Sequence, residues 1–216
     1  MPFDLEDWAL RASGVKEAGL LGEYKSRLGR LYDEFEREMK PSPDDRRIAR
    51  ALFDWLWTQK PARYEQGGPY RLNEVIDSQL SKGSETVGNC LGLTLLYNCL
   101  LRRAGIVAGA LHLENAFETG PHVLSTLMIG ESIMDIENSL SRGFGYKGHL
   151  KDPSRHLWGD RELVADIYLS QGNDSFELGN YAKALASYDA ATSLNPHYER
   201  AVLNRAIVLD KMRSIG

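Results

Sequence analysis

The chain has 216 residues, of which 43% are hydrophobic and 26% charged, with a formal net charge of -4. That length suits one large domain, or a medium one with an appendage, and the interspersed charges leave no basic stripe or Arg-rich arm of the kind a nucleic-acid binder carries. No apolar run approaches the ~20 residues that span a bilayer, and two cysteines do not make a disulfide framework.

The N-terminal stretch Met1 to Asp7 is acidic and lacks the basic start and apolar centre of a signal peptide, so a cytoplasmic location is expected. Residues 3 to 40 read as helical, with Leu20, Leu21, Tyr24, Leu28, Leu31, Tyr32 and Phe35 at three- and four-residue spacing. Lys40-Pro41 ends that helix. Ser42 reads as an N-cap, with Pro43, Asp44 and Asp45 in the first turn of a helix that runs to about Gln59. Lys60 to Tyr70 is a loop rich in Gly and Pro. A short helix covers Leu72 to Leu80, and a polar loop leads into Cys90.

The next stretch is strongly apolar from Leu91 to Leu101 and stops at Gly105. It reads as a buried helix with a cysteine at its first turn. The free N–H groups and dipole of a helix start favour negative charge, so a fold that activates a thiolate would put it there. Cys99 lies nine residues on, about 900° or half a turn round the helix, so the two sulfurs face opposite sides. Cys99 is expected in the core. After this helix the pattern turns to strands: Ile106 to Leu113, His122 to Ile129 and Ser132 to Glu137, with Gly130-Glu131 as a hairpin turn. Ser139 to Asp160 reads as an irregular surface segment. From Arg161 the chain is helical again, and Tyr168, Gly172, Asn173, Phe176, Gly179, Tyr181, Ala184, Tyr188, Ala191, Leu194 and Pro196 fall at the spacings of a helical repeat.

Cysteine catalysis needs a base within reach of the thiol and a third group to orient that base. Among the five histidines, His122 is the best base, because it opens a strand after a Gly-Pro loop. His112 sits inside an apolar strand, and His197 lies in the repeat. His149 and His156 read as surface residues without zinc-type partners, so no metal and no cofactor is expected. Trp8, Trp55, Trp57 and Trp158 read as packing residues, with Trp158 able to line a cleft. Cys90 has an ordinary alternative as a small core residue.

The order of Gly88-Asn89-Cys90-Leu91-Gly92-Leu93, His122-Val123-Leu124 and Ile133-Met134-Asp135-Ile136-Glu137-Asn138 resembles the transglutaminase-like branch of the papain-like cysteine enzymes. The helices that precede it resemble the bacterial branch with a SirB1-like domain, and residues 165 to 198 resemble a tetratricopeptide repeat. The resemblance implies an α+β fold: helices packed on a small antiparallel sheet, with N-terminal helices (1–41), a transglutaminase-like core (42–158) and tetratricopeptide-like helices (159–216). It also implies a cysteine-dependent acyl transfer on a peptide or protein amide, as a peptidase, deamidase or transferase. The Cys90 backbone N–H and Asn89 would then form the oxyanion site.

For the third member, a two-residue turn at Gly130-Glu131 pairs Ile129 with Ser132 and Thr126 with Asp135. That puts Asp135 about 13 Å from His122 along the strand. Asn138 falls opposite Val123, beside His122, and its spacing from His122 matches the resembled family, so the expected set is Cys90, His122 and Asn138. Asp135 is the alternative. Strict alternation puts Glu137 and Ser139 on the face of His122, so Asn138 needs a bulge or a strand end. The second functional reading is a non-catalytic interaction module that works through the repeat helices. Neither reading calls for a membrane or a nucleic acid.

Overall fold

Eight α-helices and a four-stranded antiparallel sheet build the part of the chain, residues 3–215, that the computed structural model describes. Met1 and Pro2 of the acidic N-terminal stretch, and Gly216, lie outside the described residues. No helix among the described residues is long and apolar enough to cross a membrane. The α+β class expected from the sequence is the one observed.

The N-terminal 40 residues form two helices, not one: α1 (Leu5–Ala12) and α2 (Ala18–Glu38). The Asp4 carboxylate caps α1, and Ser13-Gly14 ends it, with Gly14 at φ +99°. Helix α3 (Asp45–Gln59) starts two residues later than expected. Asp44 is the N-cap, because its carboxylate accepts from the N–H groups of Arg46 and Arg47, while Ser42 Oγ accepts from the N–H of Asp44. Helix α4 (Leu72–Leu80) has the expected bounds.

Helix α5 (Cys90–Arg103) is the centre of the molecule. Every residue from Leu91 to Leu101 is buried, which explains why its sequence is apolar all round rather than on one stripe. It packs on strands β1 (Ala108–Leu113) and β2 (His122–Ile129), and α1 to α4 also contact it. Strand β3 (Ser132–Ile136) pairs with β2 through a tight turn at Gly130, whose φ of +60° suits a residue without Cβ. The register is the expected one, with Ile129 opposite Ser132 and Thr126 opposite Asp135. A fourth strand, β4 (His156–Trp158), extends the sheet to the order β3-β2-β1-β4 and falls in the segment expected to be irregular.

Helices α6 (Asp160–Glu177), α7 (Tyr181–Leu194) and α8 (Glu199–Ile215) complete the chain as successive antiparallel neighbours. Gly172 allows the closest approach in this hairpin, since a Cβ there would strike the Tyr188 ring. Helix α6 packs on α1, α5, β1 and β4, so the C-terminal helices share one hydrophobic core with the sheet.

A cysteine, a histidine and a buried carboxylate

The site is built around the first turn of α5. Asn89 is the N-cap, and its side-chain oxygen accepts from the N–H of Gly92 at 3.1 Å. The loop before it is held from two sides. The N–H of Asn89 donates to the Pro69 carbonyl at 3.0 Å, and the N–H of Glu65 to that of Gly88 at 3.1 Å. Loop 63–70 therefore lies along the approach to Cys90. Gly92 has no room for a side chain, because an added Cβ would overlap the Pro69 carbonyl and come within 2.7 Å of Val75. The Cys90 thiol is half-buried and lines a cleft of about 260 Å³, whereas Cys99 is in the core with its thiol pushed well up by burial.

His122 opens β2 and lines the same cleft. Its Nε2 lies 2.8 Å from a carboxylate oxygen of Glu137. With Nε2 so engaged, Nδ1 is the nitrogen left for Cys90. Burial opposes charge on the ring, but pairing with Cys90 and Glu137 outweighs it and holds the imidazole up at about 10. Burial likewise opposes charge on Glu137, and hydrogen bonds from His122 and His149 hold it down at about 2. Its other oxygen accepts from the N–H and Oγ of Ser139, at 3.1 and 2.6 Å.

The group that meets His122 is thus Glu137, and the expectation that Asn138 lies beside His122 is corrected. Side chains alternate along a strand. Asp135 and Glu137 lie on one face; Ile136 and Asn138 lie on the other. Asn138 faces α5, where its amide donates to Ser125 Oγ at 2.8 Å and to Thr94 Oγ1 at 3.2 Å. Ser125 in turn donates to Asn98, whose amide donates to the Gly109 carbonyl. These buried groups lock α5 onto β1 and β2, and so hold the Cys90 helix in place relative to His122. The alternative, Asp135, is also engaged elsewhere, in a two-pronged ion pair with Arg155 at 2.6 and 3.0 Å.

His149 is the second correction. It is buried, and its Nε2 lies 3.2 Å from the same Glu137 oxygen that His122 meets. The chain after Asn138 turns back along the end of β3: the N–H of Glu137 donates to the Gly143 carbonyl, and that of Tyr146 to the Asp135 carbonyl. This fold-back carries Tyr146 and His149 to the site. Phe117 covers both histidine rings edge-on, at 5.5 Å from His122 and 4.8 Å from His149. It does so with a left-handed backbone, φ +53°, as does Glu118 at φ +59°. Such residues cost roughly 1–3 kcal/mol each and persist where the surroundings impose them. Alternation along β3 pointed to Glu137. No local pattern pointed to His149 or Phe117.

One ligand atom each from His122, Glu137 and His149 lies within 4.8 Å of the others, so these three are also the group of described residues that could hold a metal ion. Trp158 is buried, and it stacks on His112 at 4.2 Å. Burial pushes the His112 imidazole down to about 3.

Across the cleft from Cys90 stand Asp166, Ser170 and Asn173 of α6, with Tyr198 and Arg200 at the start of α8. No family model, no curated protein and no solved structure matches the chain.

Proposed function

We propose that the chain is a cysteine-dependent acyl-transfer enzyme acting on an amide, with Cys90 as nucleophile, His122 as base and Glu137 as the residue that orients His122. The observation that carries this reading is a helix-start thiol and an imidazole lining one cleft, with a buried carboxylate 2.8 Å behind the imidazole. A merely structural cysteine needs none of these partners. The resemblance to transglutaminase-like domains of the SirB1-like branch is kept as part of the proposal, and the repeat-like helices supply one wall of the cleft.

The steps follow from the positions. His122 accepts the Cys90 proton, and the sulfur attacks the amide carbon. The carbonyl oxygen gains negative charge beside the Cys90 N–H, which has no intrahelical partner at the first turn of α5. The Asn89 amide group, oriented by its bond to Gly92, lines the cleft beside it. His122 returns its proton to the leaving amine as the C–N bond breaks and a thioester forms. Water or a second amine, deprotonated by His122, then attacks the thioester and releases the thiol. Glu137 keeps the imidazole in the tautomer and charge state that both halves need.

Iodoacetamide labelling of the native protein tests this. Cys90 is expected to alkylate faster than an unassisted thiol near pH 6, and His122→Ala is expected to slow it. Labelling that appears only after denaturation would overturn the proposal. A second reading, a docking module, is favoured by Val202, Leu203 and Ile207, which α8 leaves exposed.

A further inference from the structure

The cleft that reaches Cys90 has a far wall with charges of its own. Asp166 of α6 has one carboxylate oxygen bonded by the Tyr198 hydroxyl at 2.8 Å. Arg200, in the first turn of α8, lines the same cleft. Yet among the described residues neither makes an ion pair, with the other or with any third group. Both side chains are part-buried and face the same cleft, so an anion and a cation left unpaired there suit a ligand that meets both. Asn173 adds a fixed donor. Its side-chain oxygen already accepts from the Tyr188 hydroxyl at 2.8 Å and from the Asn204 amide at 2.9 Å, which leaves its N–H₂ group for the cleft.

Size narrows the choice. The space of about 260 Å³ suits a ligand of one or two residues. The wall is rigid, because Tyr198 is packed edge-on against Trp158 at 5.1 Å and His112 at 5.8 Å, which ties the start of α8 to the sheet.

We propose that this cleft binds a small zwitterionic amide, with its ammonium group against Asp166, its carboxylate against Arg200 and its amide carbon presented to Cys90. The inference rests on the acyl-transfer reading of the same site and names its substrate class. Two kinds of molecule carry that chemistry. In a side-chain amide such as glutamine, both charges sit on one residue. In a free dipeptide, they sit on the residues either side of the amide bond.

Calorimetric titration of the full chain bearing Cys90→Ala, which binds without turnover, separates these and tests the whole. The probes are L-glutamine and L-alanyl-L-alanine, each also in N-acetylated and C-amidated form. One free zwitterion is expected to bind at millimolar concentration or below, and each blocked form about 10-fold more weakly, the equivalent of about 1.4 kcal/mol. Adding Asp166→Asn should abolish the penalty of N-acetylation, and Arg200→Gln that of amidation. Equal binding of free and blocked forms, or no binding of either zwitterion, would overturn the inference. So would penalties that persist in the variants. Should a variant fail to fold, the comparison of free and blocked ligands in the Cys90→Ala chain still decides. Alkylation of Cys90 by neutral iodoacetamide in the otherwise unchanged chain judges the nucleophile separately, so the failure of one is told apart from the failure of the other.

Discussion

Glu137 and Asn138 are neighbours in sequence with opposite duties, and the difference is measurable. A group that holds a catalytic base supports a step worth typically 10²–10⁴-fold in rate. Glu137→Gln is therefore expected to slow Cys90 alkylation near pH 6 by about 10²-fold, an amount that fits loss of base function at the low end of that range. Asn138→Ala should leave alkylation nearly unchanged. It should instead lower the unfolding free energy by about 1–3 kcal/mol, since Ser125 and Thr94 lose a buried partner. Stability against pH reads the same pair. His122 is held above its ordinary 6.5, so its contribution is complete below 6.5 and fades as pH rises toward about 10. Glu137 is held below its ordinary 4.5, so its contribution is complete above 4.5 and fades as pH falls toward about 2. The melting temperature of the unaltered chain should exceed that of His122→Gln most between these limits, and the gap should close as pH climbs from 6.5 toward 10. A gap that stays constant over that window would remove the ion pair from the account.

Helix α5 carries the site because its body, Leu91 to Leu101, is buried and both of its ends are tied down. Its last turn is tied to both flanks: Arg102 pairs with Asp160 of α6, and Arg103 with Glu6 of α1, each at 2.7 Å. At the first turn the tie is the approach of loop 63–70, for which Gly92 leaves space. In an exposed helix Gly→Ala is worth about 1 kcal/mol in favour of the helix. Here the sign should reverse, because the added carbon meets the Pro69 carbonyl and Val75. Gly92→Ala is expected to lower stability by about 1–3 kcal/mol and to slow Cys90 labelling as the first turn shifts. Chemical denaturation beside the labelling rate checks both, and a stabilised variant would contradict the close approach.

Across the whole molecule, helices α6 to α8 are part of the core rather than an added arm. Leu163, Val164 and Ile167 of α6 are fully buried against the rest of the chain, and Tyr198 packs edge-on against the stacked pair of Trp158 and His112. Truncation after Gly159 would expose this apolar face, and the shortened chain is expected to lose its cooperative melting transition; a sharp transition retained near the original temperature would show that the helices are dispensable. Periodicity alone was enough to locate α4, α5, the β2–β3 hairpin and the C-terminal helices, because a buried helix and a half-buried strand each impose a spacing of apolar residues that local reading can count. The thiol at the start of α5 and the histidine at the start of β2 were legible for the same reason, each being marked by an element boundary. The split of the first helix and strand β4 escaped because each depends on packing against distant elements. The third site residue was settled by the strand's alternation, which turns Glu137 toward His122 and Asn138 toward α5. His149, Phe117 and the opposing Asp166 and Arg200 come together only in three dimensions. They stand on separate segments whose spacing follows no helix or strand period, and the long-range packing of the fold-back loop and of α6 and α8 is what brings them to Cys90.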